Sequence, residues 1–260
     1  MSYDFEESGG GNSIISTTTH ANFTTTVSVS FWIKAESNPG SHQAVFISKT
    51  RDGYDRPNFK CLWTPAGGGD VYTVVYAGGV FNEWKADYSP TTGVWEHWYF
   101  EMDWTTNPDT HLFFVNGVAK TMSLNYNSNN VTPDTTATQK YIFGKNDVGD
   151  VNAADAKLAE FAVWSDIVGE TRADGMYNSG SGGAADALYN TNLVEYWSLY
   201  ADPNNAKGGS GTVSGATLSA DHPFAYATTA TKTVFGLAKA SVKTVDGLAI
   251  ASVKTINGLA

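Results

Sequence analysis

The chain has a single cysteine, Cys61, in 260 residues. One thiol forms neither an intrachain disulfide nor a cysteine-based zinc or iron–sulfur site, so stability must come from side-chain packing. Cations are scarce as well: 16 Lys and Arg face 26 Asp and Glu, a formal charge of −10. A chain this acidic has no field to collect phosphates, which argues against nucleic acid and against anionic lipid surfaces as partners. It contains no apolar run of about 18 residues, so no membrane insertion is expected. Residues 1–7 hold neither a basic nor an apolar segment, and no secretion signal is expected there. Apolar residues are plentiful, 42% of the chain with 13% aromatic, enough for a sizeable core in one or two domains.

Period-two alternation organises most of the chain. In residues 23–35, Val27, Val29, Phe31 and Ile33 fall on one face and Ser28, Ser30, Trp32 and Lys34 on the other, which predicts a half-buried strand. Further strands are predicted over 43–49, 58–64, 71–76, 95–104, 110–116, 140–144, 157–165 and 193–199. Gly, Asn, Asp and Pro clusters at 65–70 and 125–134 read as turns and loops. One short helix is predicted over 169–178. Strands at this density, without alternating helices, point to an all-β fold of two packed antiparallel sheets, with a barrel as the alternative.

The composition changes between residues 223 and 231. Up to there 12 Lys and Arg meet 25 Asp and Glu; beyond it four lysines meet Asp246 alone, so a tail of +3 follows a body of −13. The tail repeats with an 11-residue period: KTVFGLAKASV from Lys232, KTVDGLAIASV from Lys243 and a truncated KTINGLA from Lys254. Asp246-Gly247 and Asn257-Gly258 supply the positive φ of tight turns, so each unit reads as strand, turn, strand. One such unit has too little apolar surface to offset its chain entropy and must stack on neighbours or other chains. The division expected is a body over 1–223, a linker over 224–231 and a docking tail over 232–260. Val234, Leu237, Val242, Val245, Leu248, Ile250, Val253, Ile256 and Leu259 are its expected contact residues.

Several segments resemble the concanavalin A-like lectin/glucanase superfamily, in its laminin-G-like and pentraxin-like branch. They are Tyr3-Asp4-Phe5, the strand ending Phe31-Trp32-Ile33-Lys34, Trp95-Glu96-His97-Trp98, and Leu112-Phe113-Phe114-Val115-Asn116-Gly117. Tyr141-Ile142-Phe143-Gly144, Leu158 to Trp164, and Leu193-Val194-Glu195-Tyr196-Trp197 continue the family's order. The resemblance implies a jelly-roll β-sandwich and a habit of binding glycans or protein surfaces. The same fold hosts glycosidases, so it does not decide function. The tail units are similar to terminal repeats of bacteriophage structural proteins.

A retaining glycosidase needs two carboxylates about 5 Å apart. The family's enzymes carry a Glu-x-Asp-x-x-Glu run, which is missing here; the nearest pair is Glu101 and Asp103, expected on the solvent face of a strand. His97 reads as a ring hydrogen-bonded within a sheet. His20, His42, His111 and His222 stand at spacings that fit no metal site, and no Ser/His/Asp or Walker-type arrangement is legible. Calcium is the one cofactor with a candidate loop, where Asn146, Asp147, Asp150 and Asn152 gather hard oxygen ligands. Sugar binding calls for exposed aromatic platforms, for which Trp84, Tyr54, Tyr88 and Trp63 are the candidates.

These observations lead to the expectation of a non-enzymatic virion structural protein, a fibre or capsid decoration. Its lectin-like body would face outward at the virion surface and meet cell-surface glycans. Its tail would hold other virion proteins or sister chains in a homo-oligomer, a trimer among the options. A polysaccharide-degrading glycoside hydrolase and a bacterial surface adhesin are the alternatives.

Overall fold

The alternating segments form two antiparallel sheets. In a computed structural model, described over residues 2–6, 13–16, 23, 25–37, 43–49, 57–64, 69–77, 80–127, 131, 140–144, 154–200, 202–204, 206–207, 209–224, 233–234, 237–238, 244–245 and 248–249, the chain divides into units Met1–Phe224 and Ala225–Ala260. Sheet 1 of the first unit runs β10 (Val118–Lys120), β9 (Thr110–Val115), β8 (Trp95–Asp103), β3 (Thr26–Ala35), β13 (Ala156–Trp164), β1 (Ser2–Phe5) and β16 (Thr217–Ser219). Strand β14 (Leu193–Trp197) pairs the second half of β13. Sheet 2 runs β11 (Ser123–Tyr126), β7 (Val80–Asp87), β6 (Asp70–Ala77), β5 (Pro57–Thr64), β4 (Gln43–Lys49), β12 (Lys140–Phe143), β2 (Ser13–Ser16) and β15 (Gly211–Ser214). The expected antiparallel sandwich is present. Among the described residues no helix is long and apolar enough to cross a membrane.

Rings from the two sheets interlock between them. Phe31 of sheet 1 lies edge-on to Phe46 of sheet 2 at 5.5 Å, and Phe161 meets Phe46 at 5.1 Å and Tyr141 at 5.3 Å. Phe100 and Phe113 stack at 4.5 Å across β8 and β9. Each buried ring stabilises the sandwich by about 2–3 kcal/mol, which is why no disulfide is required.

The expectation of a half-buried strand over 23–35 is corrected. Ser28 and Ser30 are as buried as Val27 and Val29, because α1 (Glu170–Tyr177) and α2 (Ala185–Leu188) cover the far side of sheet 1. Tyr99, Phe114, Trp164, Ala173, Met176 and Tyr196 form a second apolar layer there. The short serine side chains admit Arg172 of α1, which donates to Ser28 Oγ at 3.1 Å and to both oxygens of Asp166 at 2.8 and 3.2 Å. Its guanidinium also lies 4.7 Å over the Trp164 ring.

The Asn116-Gly117 pair makes the two-residue turn between β9 and β10, with φ of 52° and 77°, the positive values that such hairpins demand. Elements not legible beforehand are β2, β7, β10, β15, β16 and α2. So is β11, part of which falls in the segment expected to be a loop.

In the second unit, β17 (Thr233–Val234) pairs β18 (Leu237–Ala238), and β19 (Thr244–Val245) pairs β20 (Leu248–Ala249). The registers match: Thr233 opposes Ala238 as Thr244 opposes Ala249, one repeat later. Val234, Leu237, Val245 and Leu248 stand in these strands. Val242, Ile250, Val253, Ile256 and Leu259 lie outside the described residues.

Candidate functional site

The carboxylates weighed for catalysis are committed elsewhere. Glu101 does not lie on a solvent face: it is 4% exposed. It accepts from the Tyr99 hydroxyl at 2.7 Å and from the backbone N–H of Val168 and Gly169 at 2.6 and 2.5 Å. The helical layer over sheet 1 explains the difference. Asp103 is half-buried and accepts from the N–H and hydroxyl of Thr105 at 2.9 and 2.6 Å, which shapes the turn after β8. His97 is hydrogen-bonded within the sheet, its Nε2 2.7 Å from Ser30 Oγ, and burial pushes its pKa down to about 3.

A carboxylate–imidazole–hydroxyl line does exist, where none was legible. His111 Nε2 is 2.7 Å from Asp109 Oδ2, and Nδ1 is 2.6 Å from Thr73 Oγ1. The tautomer that satisfies both partners donates to Asp109 and accepts from Thr73. Burial lowers the His111 pKa, and the Asp109 carboxylate opposes that shift. Burial would raise the Asp109 pKa, yet hydrogen bonds from His111, Asn82 and Trp84 hold it below the usual carboxylate range. Thr73 is 1% exposed inside the sandwich, so the line joins β6 to β9 and offers no nucleophile to a substrate. The Asp-x-His spacing, which aligns two side chains on one strand face, was its only sequence signal.

Of the four candidate sugar platforms, Trp63 is corrected outright: it is 1% exposed in the core, because it shares the inward row with Val71 and Ala86. Trp84 also points inward, half-buried, stacked on His111 at 5.6 Å. Tyr88 is half-buried, donates to Glu96 at 2.8 Å and packs edge-on against Trp98 and Phe113. Burial, then Glu96, raises its hydroxyl pKa. Tyr54 lies outside the described residues.

The aromatic surface lies on the far face of sheet 2. Register pairs Tyr76 of β6 with Phe81 of β7, and the two rings stack at 5.2 Å. Tyr126 of β11 stacks on Phe81 at 4.5 Å with planes 17° apart. Lys60 Nζ sits 5.3 Å from the Tyr76 ring centre. Beside this ladder, Asp70 accepts from Tyr72 at 3.1 Å and from Lys85 at 2.8 Å, while Asn125 donates to Glu83 at 2.5 Å. Burial, then Asp70, raises the Tyr72 hydroxyl pKa. The face thus joins rings to amide, carboxylate and ammonium groups, the combination a hydroxylated ring-shaped ligand uses. Only the pairing of β11 with β7 assembles it.

The calcium candidates Asn146, Asp147, Asp150 and Asn152 lie outside the described residues. Among the described residues Asp4, Glu6 and Glu36 place one ligand oxygen each within 4.8 Å of one another. Lys157 pairs with Asp4 at 3.6 Å and with Glu36, so an ammonium already supplies positive charge there. Burial raises the Glu36 pKa, and Lys157 opposes the rise.

Several solved structures share this architecture. A proposed carbohydrate-binding protein from Bacteroides ovatus is 17% identical with a TM-score of 0.57, over 86% of this chain and 61% of that one. Tailspike protein 2 of the Escherichia coli O157:H7 bacteriophage CAB120 is 11% identical with a TM-score of 0.55, over 75% of this chain and 26% of that one. A heptameric SAP-like pentraxin from Limulus polyphemus is 12% identical with a TM-score of 0.53, over 69% of this chain and 82% of that one. At such identities the likeness is one of fold. No curated protein matches the chain. The sequence pattern of the concanavalin A-like lectin/glucanase superfamily spans residues 8–171, more than half of the length, and the chain belongs to that superfamily.

Proposed function

We propose that the protein is a non-enzymatic carbohydrate-binding component of a virus particle, a fibre or capsid decoration. The sandwich faces outward and binds glycans through the outer face of sheet 2 at its β11 edge, while residues 232–260 attach it to particle proteins and sister chains. The ladder of Tyr76, Phe81 and Tyr126 beside Asn125 and Glu83 carries the carbohydrate half of this reading. The attachment half is supported by the repeated two-residue strands, which are too short to be stable alone. The tailspike likeness adds a protein of a phage particle with the same fold.

The reading is non-catalytic because hydrolysis needs two carboxylates flanking a bound sugar, and Glu101 is buried, its Oε1 holding the Tyr99 hydroxyl and the N–H groups of Val168 and Gly169 at the start of α1. Titration of the full chain over a surface array of glycans tests the carbohydrate half. Saturable binding, reversed by the same glycan in solution, is the expected result. An array without any saturable signal would reject it.

A further inference from the structure

The ring ladder has two unlike ends. Phe81 carries a ring on each face, Tyr76 on one side and Tyr126 on the other, so neither of its faces can take a sugar. Tyr76 has Phe81 on one side and the Lys60 ammonium over its ring. At the other end Tyr126 touches no described ring but Phe81, and it is 51% exposed on the edge strand of sheet 2. The ladder therefore ends in one presented ring face, held in place from behind by Phe81.

A bulge equips this ring with polar partners. Leu124 opposes Trp84 and Tyr126 opposes Glu83, so Asn125 is an extra residue with no counterpart on β7. In a regular strand Asn125 and Tyr126 would point to opposite faces. With the extra residue both stand beside Glu83, and Asn125 Nδ2 donates to Glu83 Oε1 at 2.5 Å. Glu83 Oε2 and Asn125 Oδ1 carry no hydrogen bond among the described residues and serve as acceptors for hydroxyls. Bulges commonly re-aim side chains near functional sites.

Building on the carbohydrate reading above, we propose that Tyr126, Asn125 and Glu83 form a sugar subsite at the edge of sheet 2 and that it takes an uncharged pyranose. The apolar C–H face of the sugar lies on Tyr126, its hydroxyls donate to Glu83 and Asn125, and the second N–H of Asn125 donates to a sugar oxygen. A uronate or sialate would bring its carboxylate against Glu83, with Asp87 further along the same strand and a chain of charge −10 behind it. The nearby cations do not compensate: Lys85 is paired to Asp70 at 2.8 Å, and Lys60 lies at the far end of the ladder.

The test is titration of full-length variants over neutral gluco-, galacto- and mannooligosaccharides and over uronate- and sialate-bearing ones. Wild type is expected to prefer the neutral set. Tyr126→Ala should weaken that binding about tenfold, as loss of one aromatic contact implies. Tyr126→Phe should retain it, and Leu218→Ala, an exposed position of sheet 1, should change nothing. Glu83→Gln should weaken neutral binding and narrow the preference against acidic sugars. Neutral binding that is equal in wild type, Tyr126→Ala and Glu83→Gln would overturn the subsite and leave the carbohydrate reading standing. A preference for acidic sugars would overturn the neutral assignment, and no glycan binding by wild type would overturn both. Unchanged melting of the Tyr126 and Glu83 variants separates lost contacts from lost fold.

Discussion

The carboxylate of Glu101, on β8, accepts the backbone N–H of Gly169, the residue that opens α1, at 2.5 Å. Gly169 has no side chain with which to cap the helix, and a carboxylate from the sheet beneath takes that role. Because the Val168 N–H and the Tyr99 hydroxyl share the same oxygen, Glu101 fixes the start of the helical layer. Glu101→Ala should lower stability by about 3 kcal/mol, and Glu101→Gln, which keeps an acceptor, by about 1 kcal/mol. Urea unfolding measures both. A loss below about 0.5 kcal/mol for the alanine variant would contradict this tie between sheet and helix.

Acidification should destabilise the body through its buried histidines. His97 is buried and uncharged, its pKa held near 3 by desolvation, and burial lowers His111 in the same direction. Unfolding releases both to about 6.5, so between pH 6.5 and their folded values the unfolded chain binds more protons. Stability is then fully present at pH 7 and above and falls as pH drops through 6.5. Each histidine contributes a slope of up to about 1.4 kcal/mol per pH unit. Denaturant midpoints at pH 7.5, 6 and 5 should decline, and His97→Gln should remove one proton's share of that decline. A flat profile would mean that neither ring is buried uncharged.

What was legible in the sequence and what was not separates along burial. Strands β3, β8 and β13 announce themselves because their core faces carry unbroken apolar rows, such as Val27, Val29, Phe31 and Ile33. The edge strands β10 and β11 did not, since Val118, Ser123, Leu124 and Tyr126 are exposed and obey no period. The candidate site suffered for the same reason: Tyr126 matters through its stacking on Phe81, from another strand, and through a bulge that only strand register reveals. Trp63 and Trp84 looked like platforms because Gly-rich and polar segments flank them, yet their place on β5 and β7 turns both inward.

Trp84 should therefore matter for folding and not for sugar recognition. Its ring lies on His111 at 5.6 Å, over the Asp109 and Asn82 network that joins the two sheets. Trp84→Ala should cost about 2 kcal/mol, less than for a fully buried tryptophan, while glycan affinity stays within about twofold. Asp109→Asn should cost a comparable amount by removing the charged acceptor that His111 and Asn82 share. A Trp84→Ala variant with wild-type stability and lost sugar binding would reverse these roles.

The two described hairpins of the tail contain two residue pairs each, and isolated hairpins are marginal in water even when longer. Identical registers one repeat apart mean that the two described hairpins offer the same edges, so hairpins of different chains can stack as readily as those of one chain. The +3 charge of this segment against −13 for the body makes association between chains favourable over distance as well. Removal of residues 231–260 should leave the sandwich with an unchanged melting temperature, because its core draws on residues up to 224. By light scattering the full chain should be oligomeric and the truncated protein monomeric, and the truncated form should no longer be incorporated into particles. A truncated form that keeps the mass of the full-length assembly, or that still enters particles, would place the association surface on the sandwich instead.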